Sequence, residues 1–273
     1  MSEEPREEEN RAEKQYPVKR VCSWCEKDMG LADYMSNELG QITHGMCNDC
    51  LDKQIKEIDA GQEREVSPEF IEALGKTSFS PQDQVWILLT KAGLKPASWP
   101  DFVIRNEEDG KINKKLSEDD IQMAVSLIQE SFPCEVKRKI IDIKKNSRGT
   151  FVGGHETGIK VGEEEQISFM IGSNNEKFER LSSAVQSGNE RSIGLALGYA
   201  PTAVEAYCGN GELMDVTKLS EEVFFSEAFA FNPGRLSADH WQEELAYYQK
   251  WVDYVKKVSP IIYKKMMGFM SEK

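Results

Sequence analysis

Cys22-Ser-Trp-Cys25 and Cys47-Asn-Asp-Cys50 are two CxxC pairs separated by twenty-one residues, and they hold four of the six cysteines in the chain. Thiolates at that spacing suit a tetrahedral zinc ion. Each CxxC turns tightly enough to aim two sulfurs at one point, and the loop between the pairs can fold back on itself. Four sulfurs fill the coordination sphere and leave no position for water or substrate, so the expected site is structural. A module this small and poor in apolar residues needs such a staple to fold. His44, three residues before Cys47, is read as a neighbour that hydrogen-bonds a ligand or packs on the knuckle. A redox role is disfavoured, because neither pair falls at a strand-to-helix turn of a βαβ pattern.

Other residues with chemical potential are sparser. Phe151-Val-Gly-Gly-His-Glu-Thr-Gly-Ile-Lys160 has the glycine density of a phosphate loop, but Ile159 stands where that motif demands Lys. Asp109-Gly-Lys-Ile112 fails as a calcium loop. With Gly110 at its sixth position, the first and last ligands would be Arg105 and Leu116. Gly154 and His155 in the glycine-rich loop, together with Glu205, are the candidate ligand-binding residues; a solvated loop histidine is the plainer reading of His155. Glu205 and Cys208 stand one helical turn apart, and the plainer reading of Cys208 is a small buried apolar residue.

Two stretches resemble known families. Val21-Cys-Ser-Trp-Cys-Glu-Lys27, Tyr34-Met-Ser36 and Ile42-Thr-His-Gly-Met-Cys-Asn-Asp-Cys-Leu-Asp-Lys53 resemble a short cysteine-rich module appended to bacterial sensor kinases and response regulators. That resemblance covers about thirty residues and implies a zinc ribbon. No receiver or kinase signature follows, so signalling is not implied. Gly162 to Gly172, the helix after it, and Ile193-Gly-Leu-Ala-Leu-Gly-Tyr-Ala-Pro201 with Val204-Glu-Ala-Tyr207 resemble the prokaryotic domain of unknown function 483. That family commonly follows Gly-Tyr-Pro with paired cysteines. Here Ala200-Pro201-Thr202-Ala203 stands instead and the nearest cysteine is Cys208, so chemistry at those cysteines is not implied for this chain.

The elements that must position these residues follow from composition and periodicity. Hydrophobic residues make up 39% of the 273-residue chain and charged residues 30%. This suits a soluble globular protein with one sizeable domain and a small module, or with two modest domains. No apolar run approaches the roughly 20 residues of a membrane-spanning helix, and the acidic start lacks a secretory h-region, so no membrane partner and a cytoplasmic location are expected. Reduced thiols there favour metal over disulfide. Residues 1–17 read as a disordered acidic tail, 18–53 as the zinc module, 54–66 as a linker and 67–273 as an α+β domain.

Within that domain Ser67-Pro68, Ser80-Pro81, Ser117 and Pro201 mark helix starts. Gly93, Pro133, Gly188 and Gly198 mark ends. Strands are expected at 136–143 and 166–171. Trp241, Leu245, Tyr248, Val252 and Val255 form a helical stripe that Pro260 is expected to break.

A net charge of −13 argues against general affinity for nucleic acid, although residues 134–148 are locally basic. The sequence therefore points first to a structural zinc protein whose α+β domain binds a protein partner or small ligand without catalysis. One alternative is an enzyme acting on a small molecule, with its site around 153–162 and 198–208. A second is nucleic-acid binding through the zinc module and the basic strand at 137–148, a segment otherwise read as a solvated strand edge.

Overall fold

The chain divides into two units, residues 1–60 and 61–273. The computed structural model describes residues 16–22, 27–36, 42–45, 49, 63–105, 117–145, 151–152, 159–231 and 235–271. Of the tail expected over 1–17, residues 1–15 lie outside them, while Tyr16 and Pro17 belong to a strand. The linker up to residue 62 and residues 153–158 of the glycine-rich loop also lie outside, while residues 159–162 of that region are strand.

In the first unit, β1 (Tyr16–Cys22) is the central strand of three. It pairs antiparallel with β2 (Asp28–Ser36) and parallel with β3 (Ile42–Gly45). Val18, at the middle of β1, is fully buried. Asp28 accepts a hydrogen bond from the Gly30 N–H and pairs with Lys19 at 2.9 Å, and both contacts hold its carboxyl below the usual range. The positive φ of Gly30 accommodates the register shift of β2 against β1 between Asp28 and Leu31.

In the second unit, Ser-Pro steps open helices as the sequence anticipates. Ser67 Oγ accepts the Phe70 N–H ahead of α1 (Pro68–Lys76), and Ser80 Oγ accepts the Asp83 N–H ahead of α2 (Pro81–Lys91). Ile87, Leu88 and Leu89 of α2 have no exposed surface, so this helix is buried on every side rather than along one stripe. Ser117 and Asp120 form a reciprocal capping box at the start of α3 (Glu118–Ser131).

The sheet is antiparallel around one long strand. Short strands β4 (Ala97–Ser98) and β5 (Asp101–Arg105) pair with one edge of β8 (Ile159–Gly172), and β6 (Cys134–Lys145) pairs with the other. The two-residue β7 (Phe151–Val152) lies on the far side of β6. Both expected strands are thus longer than their apolar cores, because each continues in polar residues beyond the packed face. Phe79, Phe102 and Phe169 meet with ring centroids 5.2–5.5 Å apart and join the sheet to the helical core.

Beyond the sheet come α4 (Asn175–Ser187), α5 (Glu190–Ala196) and α6 (Pro201–Tyr207). Then follow a 3₁₀ turn at Val216–Lys218 and the short helices α7 (Glu221–Phe224) and α8 (Glu227–Phe231). Helix α9 (Trp241–Val258) buries Leu245, Tyr248, Val252 and Val255, the stripe read from the sequence. Pro260 does not simply break it. Ser259 Oγ accepts the Ile262 N–H, and Pro260 opens a further helix, α10 (Pro260–Ser271), which buries Ile262 and Met266. Among the described residues no helix is long and apolar enough to cross a membrane.

Candidate functional site

The first candidate site lies at one end of the three-stranded sheet. The parallel register sets Val21 opposite His44 and Cys22 opposite Gly45. Parallel strands leave a sheet at the same end: β1 ends there at Cys22 and β3 at Gly45, two residues before Cys47 in the sequence. A second tie crosses between the pairs. Lys27, two residues past Cys25, donates to Asp49, two residues past Cys47, at 2.7 Å. This contact holds the Asp49 carboxyl below the usual range.

Cys25, Cys47 and Cys50 lie outside the described residues, and for Cys22 and His44 only the strand backbone is described. Among the described residues there is no group of three metal-ligating side chains. The expected ligand set Cys22, Cys25, Cys47 and Cys50 therefore rests on the chemistry and spacing of the two CxxC pairs.

The second candidate region is the turn from Gly198 to Thr202. Beneath it Lys95 is 1% exposed, a placement that periodicity does not reveal. Its ammonium donates to the Ala97 carbonyl at 2.8 Å and to the Leu197 carbonyl at the end of α5. The rings of Tyr199, Trp251 and Trp86 surround it, with centroids 5.1, 5.9 and 6.0 Å from Nζ. Burial pushes the Lys95 pKa down to about 7. A neighbouring buried carboxylate, Glu244, accepts from Thr202 Oγ1 at 2.5 Å, from Ser237 Oγ at 2.6 Å and from the Ser237 N–H at 2.9 Å. Tyr248 Oη accepts from the Ala200 N–H at 3.4 Å, and burial pushes its pKa up.

An amine held near neutrality is chemically able to act as a base or nucleophile. Lys95, however, is enclosed by the rings and carbonyls that depend on it. The arrangement ties the 93–98 segment to the α5–α6 turn.

Gly198 itself is fixed by geometry. Its φ is +78°, and a Cβ there would lie 2.4 Å from Pro96 Cδ.

Glu205 is already engaged. It forms an ion pair with Arg191 and accepts from Asn210 Nδ2 at 2.9 Å. Burial, followed by the nearby Glu205 and Glu190 carboxylates, pushes the Cys208 thiol up, so this pair does not generate a thiolate. Gly154 and His155 lie outside the described residues.

The larger unit also carries an open groove of about 990 Å³ that the sequence did not signal. Val66, Ile71, Tyr254, Val258, Ile261 and Ile262 give it apolar walls, and Glu63, Glu72, Lys76 and Lys257 stand among its lining residues. Comparison of the chain with protein-family models, with curated proteins and with solved structures found no match in any of the three.

Proposed function

We propose that this chain is a cytoplasmic zinc protein with a structural site formed by Cys22, Cys25, Cys47 and Cys50. Its α+β domain has a regulatory or interaction role, binding a protein partner or small ligand without catalysis. The observation that carries the reading is the shared exit of β1 and β3 from one end of their sheet, reinforced by the Lys27–Asp49 tie. The resemblance of the cysteine module to zinc modules of bacterial signalling proteins supports the same reading. His44, opposite Val21 in the register, stands close enough along the chain to buttress the site.

The closure around Lys95 and the Arg191 pairing of Glu205 favour a binding over a catalytic reading of the 198–208 region. The apolar groove beside α1 offers the ligand or partner surface.

The test is elemental analysis of the full chain and of its Cys22→Ser and Cys47→Ser variants. One zinc per chain, lost from both variants together with β-sheet protection in residues 16–45, is the expected result. Absence of zinc, or zinc retained in both variants, overturns it.

A further inference from the structure

Among the described residues, the outer edge of β6 is unpaired over most of its length. Its inner edge pairs with β8 from Cys134 to Lys145, while β7 covers the outer edge only at Lys144 and Lys145. Among the described residues no other strand lies against Cys134–Ile143 on that side. The backbone groups of such an edge are a template for another strand.

The side chains of Lys137, Arg138, Lys139 and Ile140 are all exposed, and Ile140 is 64% exposed despite being apolar. Lys137 pairs with Glu135 at 3.1 Å, and Arg138 reaches Glu118 and Glu165 only at 3.6 and 3.7 Å. Exposed contacts of this kind exchange at little cost.

The strand is complementary to itself in a register centred on Ile140. Laid antiparallel on a second copy about Ile140, it sets Ile140 opposite Ile140, Lys139 opposite Ile141, Arg138 opposite Asp142 and Lys137 opposite Ile143. Directly opposed residues of an antiparallel pair are near neighbours, where β-branched pairs and opposite charges are favourable. Moving the two-fold axis to residue 139 sets Lys139 against Lys139 and loses the Arg138–Asp142 pair. Moving it to residue 141 sets Arg138 against Lys144, which β7 already covers. An axis at residue 137 opposes Glu135 to Lys139 but sets Lys137 against Lys137, so charge favours the axis at Ile140. The ladder ends at Ile143, where the β6–β8 register shifts at a bulge in β8 and β7 begins.

We propose that β6 is a self-association edge, across which a second copy of this chain docks antiparallel with its two-fold axis at Ile140. The two β8–β6 sheets then join into one, and the interface is isologous, so each Arg138–Asp142 contact occurs twice. The inference concerns the larger unit and does not depend on zinc.

Sedimentation of the full chain over a range of concentrations tests it, with Arg138→Asp, Arg138→Asp/Asp142→Arg and Ile140→Cys alongside. The wild type is expected to dimerise, Arg138→Asp to shift to monomer, and the double exchange to restore the dimer. Ile140→Cys is expected to form a disulfide-linked dimer on oxidation beyond any formed by the wild type, whereas Glu176→Cys, an exposed control on α4, is not. A wild type that stays monomeric overturns the proposal. So does a dimer indifferent to Arg138→Asp, a double exchange that fails to restore it, or equal cross-linking at positions 140 and 176.

Discussion

Lys95 shows what a single residue in this fold costs and supplies. An amine without exposed surface loses hydration, and two carbonyls and three ring faces replace only part of it. Its folded pKa of about 7 lies below the ordinary 10.5, so between those values the unfolded chain binds more protons. Stability contributed by Lys95 therefore rises as pH increases from 7 toward 10.5, by at most about 1.4 kcal/mol per unit. Urea titrations at pH 7 and pH 9 are expected to show a rise in the wild type that Lys95→Met lacks.

Asp83 behaves in the opposite sense. Burial, offset in part by Ser80 and aided by Asp101, lifts its carboxyl to about 6 from 3.8. Its contribution accordingly grows as pH falls from 6 toward 4, and Asp83→Asn is expected to flatten that slope in the same titration. None of this was legible in the sequence. Trp86, Tyr199 and Trp251 come from three distant segments, and no spacing pattern reports that they meet around Lys95. Spacing did expose the cysteine pairs, because CxxC chemistry is local.

Elements were more legible than their meetings. Caps and stops at Ser67, Ser80, Ser117, Gly188 and Pro201 are short-range physics, and the structure follows them. Ser259-Pro260 has the same form as the first two but was read only as a break, since it interrupts an aromatic stripe that already looked complete. Ser259→Ala is expected to lower the melting midpoint through the loss of about 1 kcal/mol of capping. The short β4 and β5 carry too few residues for a period to emerge, and only their pairing with β8 defines them.

Close approach between elements was equally silent. A Cβ on Gly172 would lie 2.4 Å from the Phe178 backbone nitrogen, so α4 can pack on β8 only across a glycine. Gly172→Ala is expected to destabilise the larger unit by more than the ~1 kcal/mol of a typical point change, read from urea melts.

At the scale of the whole molecule, the two units should answer to different reagents. With zinc bound as proposed, a chelator is expected to abolish hydrogen-exchange protection in residues 16–45 while leaving that of α2 and α9 intact. Loss of protection throughout, or in neither, would argue against a metal-held first unit.

The larger unit closes on itself over a great length of chain. Lys265 in α10 donates to the Gly75 carbonyl at the end of α1, and Ile262 and Met266 enter the core that α2 occupies. The earliest helices of this unit thus wait for the last one. During synthesis α1 and the β4 segment can cover part of α2 early, but the α10 face that completes its burial follows some 170 residues later. Folding that depends on such distant partners is slow and leaves sticky surface on view. A chain truncated before α10 is therefore expected to aggregate more readily than the full chain, as light scattering would show.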